Sequence, residues 1–458
     1  SLALPLPIWY WYPIIYKAFS ICLLLFFFSF STVFASATFT KATFFDITFY
    51  VSIATSTATV SSASTIIIVS PLLVLTSSPS VSPPPSSPPP PPSYPPPLPQ
   101  PLHPDHSEPR KQAAQECNLF KGRWVPNGEA PYYTNTTCWM IQEHQNCMKY
   151  GRPDTEFLKW RWKPDDCELP VFDPARFLEL VRGKAMAFVG DSLARNQMQS
   201  LMCLLSKVEY PKDISSTSDE NFKRMYYRTY DFTIFIFWSP FLVRTEGPDR
   251  EGPLGLWKLH LDEVDKRWMA HMKRFDYLII SGGNWFTRPS MYYRRKKLVG
   301  CNYCQSNKVP MLSLYTAHRR AFHTALRAII RSKGYKGLTF LRTVSPQHFE
   351  NGKWNEGGDC PRTRPHQRNE ARMDGMDLRL YKDQLHEFRE ADKVGRRQNL
   401  RFKLLDTTQA MVMRPDGHPS RYGHWPQANE AMYNDCVHWC LPGPIDMWND
   451  MLLQMLNG

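Results

Sequence analysis

Charge is nearly missing from the first 104 residues of this 458-residue chain, where only Lys17, Lys41 and Asp46 carry it. A stretch that long without charge cannot supply the polar surface of a globular domain. All but two of the 55 Lys and Arg residues, and all but one of the 42 Asp and Glu residues, come later. The folded part therefore starts late and is basic. Signatures that would assign this basic surface to nucleic acid are also missing. Lys and Arg are dispersed, with no zinc knuckle and no helix-turn-helix pattern, so nucleic acid is not an expected partner. Metal is equally unsupported, since Cys301-x-x-Cys304 is a single ligand pair without a second at finger spacing. No nucleotide-binding loop occurs either, and neither metal nor cofactor is expected.

Within the uncharged segment, 23 residues separate Lys17 from Lys41, and Ile21 to Phe28 is almost wholly Leu and Phe. Such a run is long enough to cross a bilayer. A signal anchor over residues 18–40 is expected behind a tail at residues 1–17, so that the chain is held to a membrane. The small residues of Phe34-Ala35-Ser36-Ala37 make a cleaved signal peptide the rival reading. Both lead into the secretory pathway. Residues 41–116 read as a stem, rich in Ser and Thr up to Ser78 and holding fifteen prolines between residues 79 and 104. Prolines at that density enforce extended polyproline structure. Asn135-Thr136-Thr137 is a glycosylation sequon that agrees with a lumenal domain.

Of the 11 cysteines, Cys22 lies in the apolar segment and ten lie in the expected catalytic domain, residues 117–458. Cys117, Cys138, Cys147 and Cys167 crowd its start, and Cys436 and Cys440 its end. That even, clustered set reads as disulfide staples in an oxidising compartment rather than as reactive thiols. Residues 117–170 are rich in Cys, Trp and Pro and show little periodicity, so a loop-rich, disulfide-held entry is expected there.

The pattern then changes. Lys184 to Val189 is an apolar run ending in Gly190-Asp191-Ser192, and Leu193 to Ser206 has apolar residues at helical spacing. Strand-length apolar runs recur at residues 232–238, 277–280, 338–341 and 402–405, with helical stretches at 314–332 and 378–392 between the later ones. This alternation predicts a three-layer α/β fold around a largely parallel sheet.

In such sheets the ligand crevice lies at the carboxyl ends of the strands, and three suggestive turns are expected there. Gly190-Asp191-Ser192 puts Ser192 at a helix N-terminus, where backbone N–H groups, with Gly190 in the turn, can stabilise an oxyanion. Ser281-Gly282-Gly283-Asn284 offers the Asn284 amide to the same oxyanion. In Asp435-Cys436-Val437-His438, an i, i+3 spacing on one helical turn lets Asp435 fix the tautomer of His438, the base for Ser192. Each turn has a bland reading: Ser192 as a plain N-cap, Asp435 and His438 as a structural pair. Taken together, the order Ser, Asn, Asp-x-x-His matches SGNH-type esterases. His348, His418 and His424 compete as the base, but their polar surroundings read as loops or substrate contacts. Arg195 and Trp285 flank the expected oxyanion and are candidates for binding substrate, against readings as a surface charge and a core aromatic.

The blocks running from Phe188 through Gly190-Asp191-Ser192 to Gln197, and from Asp435 through His438 to Pro444, resemble the two defining blocks of the plant trichome birefringence-like (PC-esterase) proteins. Arg342 to Phe349 and Arg414 to Pro419 resemble internal blocks of the same family, and the similarity runs from about Cys117 onward. The resemblance implies transfer of acetyl groups from a donor to hydroxyls of a wall polysaccharide, in the Golgi, through an acyl-serine. It also implies that the C-terminal cysteine pair reaches back to Cys360 and to the early cysteines. Leu193 to Gln197, Gly300 to Cys304 and the proline-rich stem are most similar to the xyloglucan-acetylating branch. The Ser/Thr-rich segment from Ala35 to Ser78 is not family-like. Xylan-, mannan- and pectin-acetylating relatives share the catalytic blocks. An acetylesterase would use the same nucleophile, base and oxyanion donors with water as acceptor. A protein that only binds wall polymers would have no use for Ser192, Asp435 and His438 together.

Overall fold

A computed structural model describes residues 117–248, 255–425 and 433–457. The expected tail, anchor and stem lie outside these residues, and none of the described helices is long and apolar enough to cross a membrane. In chain order the first strands are β1 (Gly122–Pro126), β2 (Trp160–Pro164), β3 (Ala185–Gly190), β4 (Lys212–Asp213), β5 (Phe222–Tyr227) and β6 (Phe232–Trp238). There follow β7 (Val243–Glu246), β8 (Trp257–Val264), β9 (Tyr277–Ile280), β10 (Ser290–Arg294), β11 (Lys297–Asn302), β12 (Leu338–Arg342) and β13 (Arg401–Leu405). The helices that matter are α1 (Pro174–Leu180), α2 (Ser192–Leu205), α3 (Leu314–Ile330), α4 (Gly375–Arg396), α5 (Thr408–Val412) and α6 (Asp446–Asn457).

The main sheet has the order β13-β12-β9-β3-β6-β5-β4. Its five strands from β13 to β6 are parallel, and β5 and β4 continue it antiparallel. Strands buried on both faces need apolar residues at every position, and side chains then alternate between two cores. In β3, Met186 and Phe188 enter the core shared with α2 and α6, whereas Ala187 and Val189 enter the core shared with α3. The expected three-layer α/β arrangement is therefore present, and the expected strand and helix positions agree to within a few residues.

From β3 the chain goes to β6 on one flank and later to β9 on the other, with Phe188 opposite Ile236 and Ile279. Strand order thus reverses around β3, and the crevice belongs at its carboxyl end. Helix α2 begins there because Asp191, in extended backbone, accepts the Leu193 N–H on Oδ1 at 3.0 Å and caps it. Gly190 has no room for a side chain: a Cβ would lie 2.4 Å from the Ser281 carbonyl oxygen.

Two features went unread in the sequence. A second sheet, β11-β10-β8-β7, packs its own core of Phe241, Leu259, Phe286 and Tyr292 beside the crevice. Its β10–β11 hairpin turns at Arg295 and Lys296, both with positive φ (49° and 61°), where a turn of this kind ordinarily carries Asn-Gly. The C-terminal helix α6 packs on α2 through buried apolar residues at helical spacing, among them Met447, Trp448, Met451 and Leu452.

The N-terminal subregion is loop-rich, as expected, with β1 and β2 paired antiparallel and Trp124 edge-on to Trp162 at 5.7 Å. It is tied to the α/β body by Cys138–Cys203 and Cys147–Cys440, while Cys117–Cys167, Cys301–Cys304 and Cys360–Cys436 close the set. All ten cysteines of residues 117–458 are paired, and the C-terminal two reach Cys360 and the early Cys147, as the family resemblance implied. Denaturing the full chain without reductant and alkylating it should therefore label Cys22 alone. Peptide mapping that found several of the other ten alkylated would contradict this pairing.

Candidate active site

Ser192, the first residue of α2, and His438, 246 positions later, meet in the crevice with Nε2 2.6 Å from Oγ. His438 Nδ1 donates to Asp435 Oδ2 at 2.7 Å, which leaves Nε2 as the lone pair facing the hydroxyl. The sequence reading placed Asp435 and His438 on one turn of helix, and this needs correction. The segment has no helix: Asp435 forms an isolated bridge with Ser420, and its Oδ1 accepts the Val437 and His438 N–H groups at 3.1 and 2.9 Å. An Asx-type turn, in which the carboxylate folds the backbone back on itself, achieves the i, i+3 approach. Nor, among the described residues, does the turn directly follow a strand, as Ser192 and Asn284 do.

Burial alone would lower the His438 pKa, but the charge and hydrogen bond of Asp435 outweigh it and hold it above its ordinary value. Burial opposes Asp435 ionisation too, yet His438 and the two backbone N–H donors hold that carboxyl well below the usual range. The pair is therefore arranged as imidazole with carboxylate, ready to take a proton from Ser192.

As the first residue of α2, Ser192 has no intrahelical acceptor for its N–H, which faces the crevice with the helix dipole behind it. Asn284 opens a single 3-10 turn after β9, and both its Nδ2 and its Oδ1 are buried without a partner in the protein. An orphaned amide costs about 1–3 kcal/mol unless a ligand satisfies it, so Asn284 is poised to donate to a substrate oxygen. Gly190 ends β3 with its carbonyl accepting from the Ser239 N–H at 2.7 Å and its bare Cα against Ser281. These contacts give it a role in strand packing beside the site.

Arg195 sits one turn into α2, half-buried, with Nη1 donating to Asn221 at 3.3 Å and Nε left unpartnered. Trp285 is also half-buried, edge-on to Trp238 and Trp257 at 5.0 and 5.6 Å, with the Arg288 guanidinium 5.2 Å over its ring. Asn135 lies in a turn braced by Thr134 and Thr137. His424 faces its neighbour Trp425, and His348 and His418 lie behind His438 rather than against Ser192.

Residues that sequence reasoning missed hold this geometry. Asn196 takes the Trp439 N–H on Oδ1 at 2.9 Å and donates to the Trp439 carbonyl at 3.3 Å, fastening the residue after His438 to α2. Gln384 of α4 donates to the Gly282 carbonyl at 2.8 Å and accepts the Val344 N–H at 2.7 Å, locking the loops after β9 and β12 together. His144, from the N-terminal subregion, stands edge-on to His438 at 5.0 Å, and burial pushes its pKa down to about 4. Asn196 lies in the block quoted above, but a side chain that binds only backbone leaves no spacing signal.

A family model described as the GDSL/SGNH-like acyl-esterase family found in Pmr5 and Cas1p matches residues 169–455. The chain belongs to this PC-esterase family. A second model, the PMR5 N terminal domain, matches residues 115–168. Among relatives, the protein trichome birefringence-like 19 of Arabidopsis thaliana is 58% identical over 345 residues, 74% of this chain and 81% of that protein. Xyloglucan O-acetyltransferase 2 of Arabidopsis thaliana is 42% identical over 350 residues, 76% of this chain and 84% of its own length. Xyloglucan O-acetyltransferase 1 of Populus trichocarpa is 43% identical over 351 residues, 74% and 81% respectively. The family resemblance read from the sequence and the SGNH-like α/β fold are borne out, and the expected enzyme class, an O-acetyltransferase, agrees with these relatives.

In this PC-esterase the base must be neutral to work, so turnover should fall as pH drops through the His438 pKa, with a midpoint above the ordinary 6.5. Asp435→Asn should lower kcat by about 10⁴-fold and move that acid limb down. A pH profile of kcat/KM for both proteins checks this; an acid limb that stays in place in the variant would detach Asp435 from the base.

Proposed function

We propose that this PC-esterase transfers acetyl groups to hydroxyls of a plant cell-wall polysaccharide, with xyloglucan as the acceptor, through an acetyl-Ser192 intermediate. The observation that carries the reading is the 2.6 Å contact of His438 Nε2 with Ser192 Oγ beside the unpartnered Asn284 amide. His438 takes the Ser192 proton as Oγ attacks the carbonyl of an acetyl donor that brings its own activation. The Ser192 N–H and the Asn284 Nδ2 stabilise the oxyanion, and the donor's leaving group departs with the proton from His438. A sugar hydroxyl then attacks the acetyl-serine, giving its proton to His438, which returns it to Ser192 Oγ.

A polymer acceptor is supported by aromatic rings near Asn284 and near His144, which stands against His438. On the Asn284 side, Arg288 lies between Trp285 and the exposed Trp354, 5.2 and 5.9 Å from their rings. On the His144 side, Gly423 abuts the His144 carbonyl, and the exposed Trp425 stands edge-on to Tyr150 at 5.3 Å. Aromatic faces and guanidinium groups suit sugar rings. Xyloglucan is favoured by the relatives known as xyloglucan O-acetyltransferases, at 42–43% identity. The five disulfides suit the Golgi lumen, where the domain would hang from the proposed signal anchor.

Incubation with an acetyl donor should add one acetyl group to the wild-type protein by intact mass and none to Ser192→Ala; an adduct that persists in the variant would sink the nucleophile assignment. Trp285→Ala should slow transfer to xyloglucan oligosaccharides at least tenfold while leaving single-turnover acetylation of Ser192 within about twofold. Equal loss in both half-reactions would make Trp285 a packing residue. Transfer to xylan or mannan but not xyloglucan would refute the acceptor, and acetate release without transfer would make the protein an esterase.

A further inference from the structure

Behind the active site His348 and His418 form a chain of contacts that no role assigned above uses. His418 Nδ1 lies 2.7 Å from the His438 carbonyl, His418 Nε2 lies 2.7 Å from His348 Nδ1, and His348 Nε2 lies 3.1 Å from the Val412 carbonyl. Carbonyl oxygens only accept, so His418 Nδ1 and His348 Nε2 must each carry a proton. A neutral imidazole has one N–H. With both spent on carbonyls, two bare lone pairs would face each other at 2.7 Å, which is repulsive. Turning either ring over does not help, because it would put carbon on both of that ring's partners. The contacts are satisfied together only if one further proton lies between His418 Nε2 and His348 Nδ1.

We propose that His348 and His418 share one bridging proton and act as positioning residues for His438, so that the catalytic turn is clamped while the proton is present and released when it is lost. The clamp grips the turn twice, since the His348 backbone N–H also donates to the Cys436 carbonyl at 3.1 Å. The charge is opposed by burial and by neighbouring cations. Arg152 donates to the His418 carbonyl at 2.7 Å, and His366 faces His348. Glu350 on the His348 side and Asp435 on the His418 side favour it, with the Trp439 ring stacked on His418 at 4.0 Å. Arg414 and Asp416 beneath the same turn neutralise each other at 2.8 Å, and His438 adds a further positive charge beside His418 only when it is protonated. Burial pushes His348 down to about 4 and His418 well below its ordinary value and so works against the shared proton, which the 2.7 Å contact between the two rings favours and which is lost as pH rises.

This rests on the proposed acetyl transfer only for its kinetic consequence: kcat/KM gains an alkaline limb that belongs to the histidine pair, opposite to the acid limb of His438. Long-range proton–nitrogen NMR of the ¹⁵N-histidine-labelled catalytic protein reads the bridge directly. One N–H proton should couple to nitrogens of two different rings and vanish on raising the pH. Loss of kcat/KM for acceptor acetylation should share its midpoint and tend to about tenfold per pH unit. His348→Gln should abolish the alkaline limb and keep the acid one. Single-N–H neutral tautomers for every histidine across the pH range of the folded protein would overturn the proposal, as would a His348→Gln profile superimposable on wild type. If no acceptor is acetylated at all, the functional reading fails while the NMR spectrum still decides the pair.

Discussion

The 2.6 Å contact between Ser192 and His438 is the constraint on which the remaining architecture depends. Ser192 is easy to place, because a strand buried on both faces and a capped helix fix it between them. His438 is not, because its segment has neither helix nor strand to hold it. A loop free to wander would forfeit the near-attack geometry that makes a base effective, and a shift of 1 Å is enough to matter. The chain compensates with tethers on both sides of the imidazole: Cys436 to Cys360, Cys440 to Cys147, and both backbone groups of Trp439 to Asn196. Each removes freedom from the unfolded chain or adds a buried hydrogen bond, and together they substitute for secondary structure.

This explains why the loop-rich N-terminal subregion is not an appendage. Its Cys147 carries one tether, and its Arg152 donates to the Asp416 and His418 carbonyls while stacking over Phe157 at 3.9 Å. Arg414 and Asp416 form an ion pair beneath it with both side chains fully buried, and Arg414 also donates to the Phe157 carbonyl at 2.6 Å. A buried pair of this kind adds little net stability over an apolar pair, but losing one partner strands a charge, at a cost of several kcal/mol. Its effect is to fix how the N-terminal subregion docks, because Arg152 and Arg414 each reach carbonyls across that boundary.

What could be read in the sequence follows the range of the interactions involved. The β3 strand, its turn and α2 were legible because their signals are local: a continuous apolar run, the Gly190-Asp191-Ser192 turn, then helical periodicity. Asp435 and His438 were legible as partners from their spacing. Their backbone was misread, because a helical turn and an Asx turn both bring residues i and i+3 together. Asn196 and Gln384 were invisible as functional residues, since each acts on main-chain atoms far away in sequence. The β10–β11 hairpin hid behind Arg295-Lys296, a pair that ordinarily reads as solvated charge, whereas α6 carries its apolar residues at helical spacing and was passed over.

Some of the buried polar atoms that the protein itself leaves unsatisfied lie on the elements around the site. Asn284 has neither amide atom paired, Arg195 has a bare Nε, and Asp377 of α4 has a buried Oδ1 without a partner. Burial raises the Asp377 pKa to about 7, and the group lies one helical turn before Leu380, which packs on Gly283 next to Asn284. Each orphan costs the empty enzyme about 1–3 kcal/mol, recovered only when a ligand supplies the missing partner. A single water can satisfy one or two such groups, whereas a sugar ring carries several hydroxyls at fixed spacing, which suits the acceptor proposed above. If Ser192 carries the proposed acetyl group, an acceptor that engages more of these orphans than water does is favoured over hydrolysis, and the nucleophile and base, common to both reactions, do not discriminate.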